Sequence, residues 1–157
     1  MIDLKNKLIN SFIPYAVLVP LTNDAKNSII DIKKVNNVIC IFHFPFKVGR
    51  ESRMSENDKG LFIKLRILGD FSKPNNDIYL FNSTRNLEIS KEHFQIEIID
   101  NNFFIKDRNS TLGTKLNDIE IGKEQNKYTH ILKDGDIIKI GSNHSKYEFQ
   151  FLVLSNN

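Results

Sequence analysis

The chain has 157 residues, enough for one domain with an adequate core. Its 22 basic and 19 acidic residues leave a formal charge of +3, too small an excess for nonspecific capture of nucleic acid. Cys40 is the only cysteine, which excludes an intramolecular disulfide. No apolar run approaches the roughly 18 residues of a membrane-spanning helix.

Taken in chain order, residues 1–14 form an extension in which Ile2, Leu4, Leu8, Ile9 and Phe12 fall at helical spacing, so a short helix is expected there. This stretch has no continuous apolar run or small-residue cleavage site of a signal peptide, and a cytoplasmic protein is expected. Tyr15 to Val19 reads as a buried strand closed by Pro20, and Asn23 to Asn27 as turn chemistry. Ile29, Ile30 and Ile32 suggest a further strand. Val38 to Phe42 is apolar and β-prone, which predicts a strand with Cys40 as a buried small hydrophobe. Phe44 to Val48 leads into Gly49 and Arg50, placing the arginine at a strand end.

Residues 51–76 are too long for a structureless loop, and Leu61 to Leu68 predicts an inserted strand or hairpin. Phe94 to Ile98 alternates strictly, Asp100 to Asn102 supplies turn residues, and Phe103 to Lys106 follows: a hairpin pattern. Lys133 to Asp136 and Gly141 to Asn143 read as turns around the strand Ile137 to Ile140. Tyr147, Phe149, Phe151 and Val153 then share one face of a closing strand. Many short strands separated by turns make an all-β antiparallel sandwich the expected class.

Three clusters punctuate these strands: Gly49-Arg50, Ser90-Lys91-Glu92-His93, and Ser110-Thr111-Leu112-Gly113-Thr114 followed by Leu116-Asn117. An arginine offers a forked, permanently charged donor set for phosphate, and a serine or threonine hydroxyl a short neutral one. In this order the clusters resemble the forkhead-associated domain, with the resemblance extending over about residues 15–154 and its motifs over Phe46 to Gly141. The phrases Val17 to Leu21 and Phe44 to Arg50 look most like bacterial members.

The resemblance implies a β-sandwich of two twisted antiparallel sheets over residues 15–157, an insertion at 51–76, and binding loops gathered at one end. It implies a phosphothreonine-dependent protein-binding module that couples Ser/Thr kinase signalling to protein assembly. Arg50, Ser90, Lys91 and Thr111 would then contact the phosphopeptide, while Gly49, His93, Gly113 and Asn117 hold the loops. Two positions depart from the family pattern: Leu112 stands where a peptide-contacting asparagine is usual, and Asp118 where glycine is usual. Leu112 motivates the alternative of a scaffold that keeps the fold and binds a partner without reading phosphate.

Catalysis has little support. His43, His93, His130 and His144 are dispersed and form no metal motif with Cys40, there is no Gly-x-Ser-x-Gly elbow, and glycine is too sparse for a dinucleotide or Walker phosphate loop. Asp134-Gly135-Asp136 lacks the ligand ladder of a calcium loop and reads as a turn. No cofactor, metal, specific nucleic acid or membrane insertion is expected.

Overall fold

Period-two alternation of apolar and polar residues builds nearly every element of the computed structural model, in which residues 2–29, 34–35, 37–63, 75–83, 85–122 and 127–154 are described. The elements, in order, are α1 (Ile2–Phe12), β1 (Ala16–Pro20), α2 (Asn23–Ser28), β2 (Lys34–Val35), β3 (Val38–Ile41), β4 (Phe46–Arg50), β5 (Met54–Asn57) and β6 (Gly60–Ile63). They continue with β7 (Ile78–Leu80), β8 (Phe94–Ile99), β9 (Asn102–Asp107), β10 (Thr114–Leu116), β11 (Ile119–Ile121), β12 (Thr129–Leu132), β13 (Ile137–Ile140) and β14 (Glu148–Val153).

Seven strands form one sheet, in the order β11-β10-β13-β14-β1-β3-β2, and five form the other, β12-β9-β8-β4-β7. Between them lies one core, with Leu18, Ile41, Phe149 and Phe151 from the first sheet facing Val48, Leu80, Phe94, Ile96 and Ile105 from the second. All of these are essentially inaccessible to water, so their burial dominates the favourable side of folding. Val153 and Phe103 pack against the core, as the alternation of β14 and the β8–β9 hairpin predicts. That hairpin turns through Asp100 and Asn101, both at positive φ (48° and 61°), the backbone that a tight two-residue turn demands.

The two sheets are antiparallel with one exception, the parallel pairing of β4 with β7. β7 is only three residues long, and its signal is hidden behind the 51–76 segment. Within that segment, β5 and β6 pair as a separate two-stranded sheet; Leu65 to Leu68 lie outside the described residues.

Asn23 to Asn27, expected as a turn, begins α2 instead. Thr22 caps it by accepting a 3.1 Å hydrogen bond from the Ala25 N–H, Asp24 sits in the first turn, and Ala25 and Ser28 are buried. Of the strand expected at Ile29, Ile30 and Ile32, Ile29 makes an isolated bridge to Leu80, and the other two lie outside the described residues. Cys40 is half-buried rather than buried, because β-strand parity turns it to the outer face of its sheet while Ile39 and Ile41 point inward; partial burial raises its thiol pKa.

Candidate functional site

Arg50 ends β4, shares strand parity with the buried Phe46 and Val48, and is itself half-buried. Its Nε is the one buried side-chain nitrogen or oxygen among the described residues without a hydrogen-bond partner. Leaving such a donor unpaired costs about 1–3 kcal/mol, more when the group is charged. The backbone around it is fixed, since Arg50 N–H donates to Ser90 O at 2.9 Å and Glu51 N–H to Leu80 O at 2.8 Å.

A cleft of about 560 Å³ opens beside this arginine, lined by Arg50, Ser90, Lys91 and Thr111 together with Leu87, Ile89, Glu92, Arg108 and Asn109. Four residues expected from the sequence to contact a phosphopeptide therefore share one wall. Ser90 Oγ accepts the Thr111 N–H at 2.9 Å and directs its own proton at Thr111 Oγ1 over a long 3.3 Å. The serine proton is thus weakly held, and the Thr111 hydroxyl proton has no partner among the described residues. Lys91 is exposed, and its backbone carbonyl rather than its ammonium is engaged by a neighbour.

The loops are held by residues of the same motifs. His93 is fully buried; its Nδ1 accepts the Ser90 N–H at 2.9 Å, and Nε2 stands 3.0 Å from Gly113 O, where it donates as the Nε2–H tautomer. The Nδ1 bond requires a neutral ring, and burial lowers the imidazole pKa to about 4 against a smaller opposing pull from the Gly113 carbonyl, whose bond to Nε2–H a protonated ring would keep. Gly113, at φ 77°, also accepts the Gly141 N–H at 3.0 Å, so one glycine carbonyl ties three loops together. Asn117, at φ 53°, donates to Asp136 and accepts the Ile137 N–H at 2.9 Å, which fixes the β10–β11 turn against β13. It does not line the Arg50 cleft.

Gly49 answers a different need. A Cβ there would sit 2.1 Å from Lys91 O and 2.5 Å from Asn76 Nδ2, so any side chain would push the Ser90 loop away from β4. Leu112 is 44% exposed and lines a neighbouring cleft of about 160 Å³ with Thr111 and Gly113. The leucine is therefore not a core residue.

Several contributors are not singled out by the sequence. Asp107 is buried and its carboxylate accepts from Ser110 N–H (2.8 Å), Ser110 Oγ (2.6 Å) and Thr114 Oγ1 (2.7 Å), which sets the bend that carries Thr111. The three-residue spacing of Asp107 and Ser110 is the signal that could have revealed it. Asn76, Glu92 and Arg108 form a second cluster: Asn76 Nδ2 donates to Lys91 O at 2.8 Å, while Arg108 donates to Asn76 Oδ1 at 2.6 Å and to Glu92 Oε1 at 2.7 Å. They come from separate loops and no local pattern connects them. Among the described residues no three His, Cys, Asp or Glu side chains are placed to hold a metal ion.

The sequence profile of the FHA domain matches residues 46–141. The chain belongs to the forkhead-associated (FHA) domain family. Solved structures agree at the level of the fold. An FHA domain of an Arabidopsis thaliana protein superposes with a TM-score of 0.53 at 22% identity, covering 92% of this chain and 90% of that one. The FHA domain of a Chlamydia trachomatis protein gives 0.50 at 16% identity, covering 90% and 98%. Mycobacterium tuberculosis EmbR, solved in complex with a low affinity phosphopeptide, gives 0.51 at 16% identity over 99% of this chain and 30% of that protein. Comparison with curated protein sequences finds no match. This FHA domain thus pairs the family's motif order with leucine at position 112.

Proposed function

We propose that this FHA domain is a noncatalytic reader of phosphothreonine in a partner protein, linking a Ser/Thr kinase signal to protein assembly. The observation that carries the reading is Arg50, whose buried Nε has no partner among the described residues and which lines a cleft shared with Ser90, Lys91 and Thr111. A phosphothreonine brings a charge of about −1.5 to −2 and three acceptor oxygens, which match a guanidinium, an ammonium, the Thr111 hydroxyl proton and the weakly held Ser90 one. Arg50 contributes most, because a hydrogen bond to a charged group is worth about 1.5–3 kcal/mol against about 0.5–1.5 for a neutral one. Gly49, His93 and Gly113 serve by fixing the loops. Binding needs no metal or cofactor in this reading. None of the described helices is long and apolar enough to cross a membrane, and with a lone half-buried thiol the domain suits a reducing cytoplasm.

The test is titration of a phosphothreonine peptide library, with unphosphorylated controls, against the wild type and Arg50→Ala. The wild type is expected to bind only phosphorylated peptides, and Arg50→Ala to bind them about tenfold to a hundredfold more weakly with an unchanged circular-dichroism spectrum. Equal affinity in the two proteins would remove Arg50 as the anchor. Binding that ignores phosphorylation would favour the phosphate-independent scaffold.

A further inference from the structure

Resting on the phosphothreonine reading, a second feature of the cleft speaks to which phosphothreonine segments it accepts. Its wall carries three cationic side chains, Arg50, Lys91 and Arg108, and one carboxylate, Glu92. Arg108 is pinned: its side chain is 12% exposed, one guanidinium nitrogen is on Asn76 Oδ1 and the other on Glu92 Oε1. Glu92 Oε1 also accepts the Asn75 N–H at 3.2 Å. The carboxylate is therefore held in one position while its side chain stays 44% exposed, and its Oε2 has no partner among the described residues.

We propose that Glu92 is a specificity-determining residue that selects phosphothreonine segments carrying a lysine or arginine close to the phosphorylated residue and disfavours acidic flanks. Net charge by itself sets no preference between the flanks, so the selection rests on where Glu92 stands. Three cations and one carboxylate leave the wall with two net positive charges, close to the −1.5 to −2 of a single phosphothreonine. A further acidic side chain on the ligand finds no spare cation there and meets Glu92. A basic side chain finds a carboxylate oxygen already oriented by Arg108 and Asn75, so that only the ligand's side chain has to be ordered.

The experiment uses phosphothreonine peptides that differ only by Lys, Ala or Glu at each flanking position in turn, titrated against the wild type and Glu92→Gln. Glutamine keeps an oxygen for Arg108 and Asn75 while removing the charge, and position 92 is at the surface, so the fold is retained. In the wild type one position is expected to rank Lys above Ala above Glu, each step about twofold to fivefold, and the steps to shrink with added salt. In Glu92→Gln that ranking is expected to collapse. An identical ranking in both proteins, or none in the wild type, overturns the proposal while leaving phosphothreonine binding in place. Failure of both folded proteins to bind any phosphothreonine peptide overturns the phosphothreonine reading itself, and this inference with it.

Discussion

His93 gives one side chain's environment a measurable reach. In the unfolded chain its imidazole takes up a proton near the ordinary value of about 6.5, whereas in the folded protein burial resists protonation until about pH 4. Between these values the unfolded state binds more protons, so the His93 contribution to stability is complete above about pH 6.5. It is lost as the pH falls toward 4, by up to about 3 kcal/mol. Denaturant unfolding across this range is expected to show the loss in the wild type. His93→Gln should be less stable at neutral pH, lack this segment of the profile, and approach the wild type near pH 4. Leu112 is the second residue with a distinct outcome. It is exposed and backed by Gly113 at positive φ, so Leu112→Asn should leave stability unchanged. The new amide adds hydrogen-bonding capacity beside Thr111, and calorimetric titration with phosphothreonine peptide should show binding about twofold to tenfold tighter.

At the scale of elements, the approach of β4 to the Ser90 loop is the most demanding contact. Gly49→Ala places a methyl 2.1 Å from a backbone oxygen that cannot rotate away, so it should destabilise the domain by about 1–3 kcal/mol and weaken peptide binding. Removing the Asn76 side chain in the same protein should not restore either, because Lys91 O remains. Thermal unfolding of the single and double variants checks both statements. Strands whose residues alternate and whose turns hold Asn, Asp or Gly were readable from sequence, as β8, β9, β13 and β14 illustrate, because parity and turn chemistry are local. The order of Arg50, Ser90, Lys91 and Thr111 along the chain picks them out as one group, and the fold places all four along one cleft. What was not readable depends on distant partners. Asn76 and Arg108 meet only after β7 and β9 have docked, β7 is too short to show a period, and α2 is decided by one capping hydroxyl and the burial of Ala25.

For the molecule as a whole, α1 stands apart from the sandwich. Leu4, Leu8, Ile9 and Phe12 are 63%, 54%, 47% and 78% exposed, so these four side chains add nothing to the core, and eleven residues are too few for an isolated helix to persist in water. Deleting residues 1–13 should therefore shift the melting temperature by no more than about 2 °C. Scanning calorimetry of the two forms decides this, and a larger fall would mean that α1 packs on the sandwich.

The pairing of β1 with β14 has a mechanical consequence. Ala16 lies opposite Val153, and the Leu154 N–H reaches Tyr15 O at 2.9 Å, so the chain enters and leaves the sandwich side by side. The opposite end of β14 returns through residues 141–147 to the loops that touch Gly113 and Glu88. Tension applied through flanking sequence would peel β1 from β14 one hydrogen bond at a time, as a zipper opens, instead of shearing all of them together. Such a load is felt first at the Tyr15–Leu154 corner and last at the cleft, so the domain can be tethered at that corner while its binding loops stay unobstructed and unstrained.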